Sequence, residues 1–180
     1  MLFRSAGGIL LSGLGPFARV AEAGRPRVST LFWVTDIPNR PFRKRRLGAD
    51  RHVGVECLIE LMAREGTKLY RSRTRGPLAG RKGLIAADDV VLIKVNAQWK
   101  YRGCTNSDVV RGLIRRVLDH PDGFTGEVVL IDNGQGYGSF RCDNITNYPD
   151  RSVHANANKR THSFAYLVDT VFDEIGRAHV

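Results

Sequence analysis

Two apolar runs in this chain each end in a pair of polar residues able to do chemistry. "VVLIKVN" (residues 90–96) carries Lys94 and Asn96, and "EVVLIDN" (residues 127–133) ends in Asp132 and Asn133. An ammonium at the end of a buried strand can hold an anionic ligand or, once desolvated, act as a base or Schiff-base amine. Asp132 can pair with that lysine, coordinate a metal, or accept a hydroxyl from a ligand. Asn96 and Asn133 are suitable fixed donors and acceptors. The alternative is a structural Lys–Asp pair at a sheet edge, with Lys94 extending its amine to water.

Other polar groups surround these four in sequence. Gln98, Trp99, Lys100 and Tyr101 follow the first strand, and "GQGYGS" (residues 134–139) follows the second. The glycines Gly134, Gly136 and Gly138 are evenly spaced and lead into a long polar loop. A dinucleotide fingerprint instead runs straight into a helix, so a glycine loop lining a ligand site is the better reading for Gly134 and Gly136. "HANANKRTH" holds His154 and His162 eight residues apart, weak candidates for metal ligands. It reads more simply as a polar loop closing over the sheet edge, with His162 and Ser163 opening a helix. Of three cysteines, Cys57 is expected on the apolar face of a helix. Cys104 and Cys142 fall in loops after strands, where they can pair if the protein is exported. No C-x-x-C is present, so a zinc ribbon or ferredoxin-type cluster cannot be assembled here, and no metal is assigned.

The elements that must position these groups alternate. A β-branched and aromatic run at 28–36 predicts a strand. Val55, Leu58, Ile59 and Met62 recur at helical spacing, with Gly66 as the stop. A short strand at 67–72 and a glycine-rich connection lead to the run at residue 90, which is apolar enough for a strand covered on both faces. Thr105 and Asp108 resemble a capping box for a helix with Val109, Val110, Leu113, Ile114, Val117 and Leu118 as its apolar stripe. "HPDG" (residues 120–123) ends it. Thr105 and Asn106, at its start, join the candidate ligand-binding set. The last element is a helix with Phe164, Leu167, Val168, Val171 and Phe172 on one face. Strands alternating with helices predict an α/β fold: a mostly parallel sheet with flanking helices in Rossmann-like layering, whose ligands bind beyond the carboxyl ends of the strands.

Composition sets the outer bounds. The chain has 180 residues, 42% apolar and 26% charged, in the ordinary range of a folded domain. A net charge of +10 invites an anionic partner. Much of the excess sits in two loop-like runs at 40–46 and 71–82, without a nucleic-acid signature, so a small anionic ligand is favoured over nucleic acid. Residues 6–23 are small and apolar and end in Ala21-Glu22-Ala23, an A-x-A pattern that reads as the remnant of a signal peptide and implies export; otherwise the chain is cytoplasmic. They are too short and glycine-rich for a spanning helix, so no integral membrane segment is expected. Residues 175–180, "IGRAHV", correspond to one translated frame of a common sequencing adapter. Residues 1–5, "MLFRS", correspond to its reverse complement. The native domain is therefore expected over 24–174, as a single α/β unit truncated at its C-terminus.

The stretch "DDVVLIKVNAQWKYRGCTNSDVVRGLIRRVLDHPDGFTGEVVLIDNGQG" resembles the domain-of-unknown-function family 362. Its hallmark is a strand ending in Ile-Lys-x-Asn, here Ile93 to Asn96. A Thr-Asn turn into a helix follows, here Thr105 and Asn106, and then an apolar strand ending in an acid, here Asp132. "HVGVECLIELMAREGTKLYRS" is similar to exported bacterial members, and the resemblance spans about residues 28–174. "RPFRKRRLGAD" before His52 has no counterpart in the pattern. Some members carry ferredoxin-type iron–sulphur modules, which implies a cofactor- or redox-linked enzyme, although no cluster motif stands in this chain. Lys94 and Asp132, from their place at the strand ends, are its candidate catalytic groups. The alternative is a non-catalytic extracytoplasmic module binding an anionic small molecule.

Overall fold

The computed structural model describes residues 29–37, 50–97, 104–132, 140, 155–172 and 178–179. Helix α1, Val53–Arg64, is followed by the two-residue strands β1, Tyr70–Arg71, and β2, Ala79–Gly80. Strand β3, Val90–Lys94, runs into helix α2, Ser107–Leu118, and then strand β4, Glu127–Ile131. A helical turn α3, Phe164–Tyr166, continues as the π-helical turn Leu167–Val171, and strand β5 is Ala178–His179.

Every strand pairing among the described residues is parallel. β1 pairs with β2, and β3, β4 and β5 lie side by side in that order. The β3–β4 register sets Val91 beside Val128, Ile93 beside Leu130 and Lys94 beside Ile131. This β3–α2–β4 unit is the expected α/β arrangement. β5 pairs with Val128 and Val129 and falls inside residues 175–180, which were expected to lie outside the native domain.

One face of the sheet makes the core. Ile93, Val128 and Leu130 are buried with Val110, Ile114 and Val117 of α2 and with Phe164, Leu167 and Phe172. The stripes expected for α2 and the last helix therefore point inward, except that Val109 is exposed. The other face is different. Val90 and Leu92 are 62% and 61% exposed, and Ile131 is also exposed. The expectation that β3 is covered on both faces is corrected: the described residues cover only one. A smaller core joins α1 to the short strands through Val55, Ile59, Leu69, Tyr70 and Ala79.

Three further local expectations change. Residues 29–37 form no strand, and Leu31 and Trp33 stay exposed. Asp36 turns the chain at a positive φ, and Ile37 packs on Gly54. β-Branched composition favours a strand only where a partner strand receives it. Cys57 is exposed rather than core, because the buried stripe of α1 is centred on Val55, Ile59 and Ala63. Position 57 points away from that stripe. The cap of α2 is Asn106, whose side chain accepts from Val109 N at 3.1 Å. Thr105 and Asp108 are engaged elsewhere, so they form no capping box. Among the described residues no helix is long and apolar enough to cross a membrane.

Candidate functional site

The parallel register carries Lys94 and Asp132 to the same end of two adjacent strands. The ammonium of Lys94 donates to Asp132 Oδ1 at 2.6 Å and to the carbonyl of Val95. The second oxygen, Oδ2, accepts from the amide of Ala97 at 2.9 Å. The Asp132 side chain is 6% exposed and that of Lys94 is 63% exposed. A buried carboxylate thus clamps the chain leaving β3, while its cationic partner reaches the surface. Val95 N extends the ladder to Ile131 O at 3.0 Å, which fixes the frame between the two groups.

Asn96 and Thr105 close the connection that follows. Asn96 N donates to Thr105 Oγ1 and Thr105 N donates to Asn96 O, both at 2.8 Å. Thr105 is therefore a backbone fastener at the mouth of the loop. Asn106 beside it caps α2, so both are joined to the Lys94–Asp132 neighbourhood through the backbone. Cys104 is buried there. Burial, with Asp132 nearby as a second cause, pushes its thiol pKa up and holds it protonated.

The segment at 155–163 packs on the first turn of α2, and sequence reasoning assigned it only a general closing role. Asn156 Nδ2 donates to Cys104 O at 2.9 Å, and Asn156 O accepts from Ser107 N at 3.0 Å. Asn158 donates from N and Nδ2 to Asp108 Oδ2 at 2.7 and 2.9 Å. Ser107 Oγ donates to His162 O at 2.6 Å. The segment is a run of bends and turns, so no strand or helix period in the sequence marked it. The imidazole of His162 stacks on Tyr166 and lies 3.3 Å from Arg111 Nη1. A guanidinium only donates, so His162 Nδ1 is the acceptor. That contact turns Nδ1 toward a cation. Among the described residues no group of three His, Cys, Asp or Glu side chains is placed to hold a metal.

Asn133, Gly134, Gly136, His154 and Cys142, with the stretch from Gln98 to Tyr101, lie outside the described residues. Of the proposed set, the structure brings together Lys94, Asp132, Asn96, Thr105 and Asn106. Their chemistry is constrained. Asp132 accepts at both oxygens, from Lys94 and from the Ala97 amide, so its carboxylate already ties the ends of β3 and β4 together. Lys94 has three ammonium protons and uses two for Asp132 and Val95. Its remaining donor and its exposure suit the capture of an anion.

No family model, curated protein or solved structure matches the chain.

Proposed function

We propose that this chain is a ligand-binding α/β domain that holds an anionic small molecule beyond the carboxyl ends of β3 and β4, with Lys94 as the contacting cation. The observation that carries this reading is the asymmetry of the Lys94–Asp132 pair: the carboxylate is buried and hydrogen-bonded at both oxygens, the ammonium exposed and held in place. Such a lysine is oriented before a ligand arrives, which reduces the ordering cost of binding. Non-catalytic capture is favoured over the enzyme reading because the Asp132 carboxylate is buried behind Lys94, and the exposed ammonium is the group that meets a ligand.

Membership of the domain-of-unknown-function family 362, a Rossmann-like layering and an exported location belong to the same proposal. The family and the layering are supported by the motif's placement, with Ile93 to Asn96 at a strand end, Thr105 and Asn106 at a helix start, and Val128 to Asp132 along and just past the adjacent strand. Export rests on the A-x-A pattern of residues 21–23. An iron–sulphur link follows only from the resemblance.

The test is thermal stabilisation by citrate and by inorganic phosphate, comparing the native chain with Lys94→Met. The native chain should gain in Tm with a saturable dependence on one of the anions, and Lys94→Met should lose that gain, each shift being taken from that protein's own anion-free Tm. Equal responses in the two proteins would remove Lys94 from the site and with it this reading.

A further inference from the structure

A cavity lies away from the strand ends. It has a volume of about 620 Å³ and sits between the C-terminal half of α1, the β1–β2 connection and the end of α2. Small-molecule sites occupy roughly 300–1,000 Å³ and combine apolar walls with a few placed polar groups. Its apolar wall includes Tyr70 and Leu78. Tyr70 is fixed by its hydroxyl, which donates to Arg116 O at 2.7 Å, and by an edge contact with His120 at 5.1 Å between ring centroids. The ring is thus a rigid platform rather than a mobile surface aromatic.

The charges around the cavity do not cancel. Arg116 is satisfied by the buried Glu56, Arg51 reaches Asp119 at 2.7 Å, and Arg64 lies 3.7 Å from Glu60. Lys68 and Arg75 also line the cavity, and neither has a carboxylate partner among the described residues. Lys68 Nζ donates to Pro77 O at 2.6 Å, which holds its ammonium beside the turn that carries Arg75. Two uncompensated cations therefore stand next to an apolar platform.

We propose that this cavity binds a small aryl anion, with its ring against Tyr70 and Leu78 and a phosphate-type head at Lys68 and Arg75. A fixed ammonium and a guanidinium suit the oxygens of a doubly charged phosphate. The apolar wall distinguishes such a ligand from a bare inorganic ion.

The experiment is isothermal titration of the full chain with phenyl phosphate, inorganic phosphate and phenol. Phenyl phosphate should bind at least about tenfold more tightly than either fragment, since both halves of the site contribute. Lys68→Met/Arg75→Met should weaken it by about tenfold or more. Arg73→Met/Arg81→Met removes the same charge outside the cavity and should change affinity less than about twofold. Lys94→Met should have no effect on phenyl phosphate, which keeps this site separate from the one at the strand ends. Equal affinity for phenyl and inorganic phosphate, or equal losses in the two double variants, would show general attraction to a basic chain and overturn the proposal. If the Lys68/Arg75 variant does not fold, amide shifts in the native chain decide. Saturable shifts of Gly76 and Ala79 on adding phenyl phosphate support the site, and their absence overturns it.

Discussion

Arg116 of α2 and Glu56 of α1 form a buried ion pair that joins the two helices. The guanidinium donates through Nε to Glu56 Oε1 at 2.8 Å and through Nη2 to Oε2. The residues are 9% and 6% exposed, and Arg51 approaches the same carboxylate at 3.9 Å. Two parallel hydrogen bonds from a guanidinium are the strong geometry for a carboxylate.

Removing one partner of such a pair leaves a buried charge without compensation, at a cost of about 3–5 kcal/mol. Glu56→Ala should therefore lower stability by about that amount in urea unfolding. Replacing both residues by apolar ones, Glu56→Leu with Arg116→Met, should recover most of the loss, because the desolvation of two charges then disappears. A double variant no more stable than the single one would show that the pair sets the packing angle of α1 on α2.

A second contact between the same helices tests the closeness of the packing. A Cβ added to Gly112 would lie 2.5 Å from the Cβ of His52 and 2.9 Å from its backbone nitrogen. In an ordinary helix interior, Gly to Ala gains about 1 kcal/mol. Here the atoms met are a Cβ and backbone, which cannot rotate away. Gly112→Ala is expected to destabilise by about 1–3 kcal/mol, the cost of overpacking. A stabilised variant in the same unfolding measurement would mean that His52 moves aside freely.

Neither contact was legible in the sequence, whereas the β3–α2–β4 unit was. The unit follows from local patterns: apolar runs of strand length, and a helical stripe at Val110, Ile114 and Val117. Glu56 stands in the first turn of a helix, where an acid is ordinary, and its partner is 60 residues away. Thr105 was misread as a cap because its hydroxyl is taken by Asn96, nine residues earlier, a contact no local pattern contains. Of the candidate site, strand ends were legible because side-chain type changes there. The contact of Asp132 with the Ala97 amide was not, since it depends on where the chain turns after β3.

The two sheet faces should respond differently to truncation. Leu130 is 1% exposed and Leu92 is 61% exposed, although both sit in strands of the same sheet. Leu130→Ala should cost about 2–5 kcal/mol as a core truncation. Leu92→Ala should stay within about 0.5 kcal/mol, as for surface positions. A large loss at Leu92 would indicate that its face is covered in the folded protein.

His52 gives the chain an acid-sensitive joint. Its Nδ1 accepts from Gly54 N at 3.2 Å and caps α1, so the ring must be deprotonated at that nitrogen. Burial lowers its pKa from the ordinary 6.5, against a smaller opposing effect of Asp108. A folded-state pKa below the unfolded one means that the unfolded chain takes up the proton first as pH falls. The contribution is therefore complete above about pH 6.5 and is lost as pH drops through the lower, folded-state value. His52→Asn keeps a side-chain acceptor suited to capping but removes the titration. Between pH 8 and pH 5 the native chain should lose more Tm than His52→Asn does, while the two should converge in slope above pH 7. Parallel profiles across the whole range would show that the cap survives protonation and that the acid sensitivity lies elsewhere.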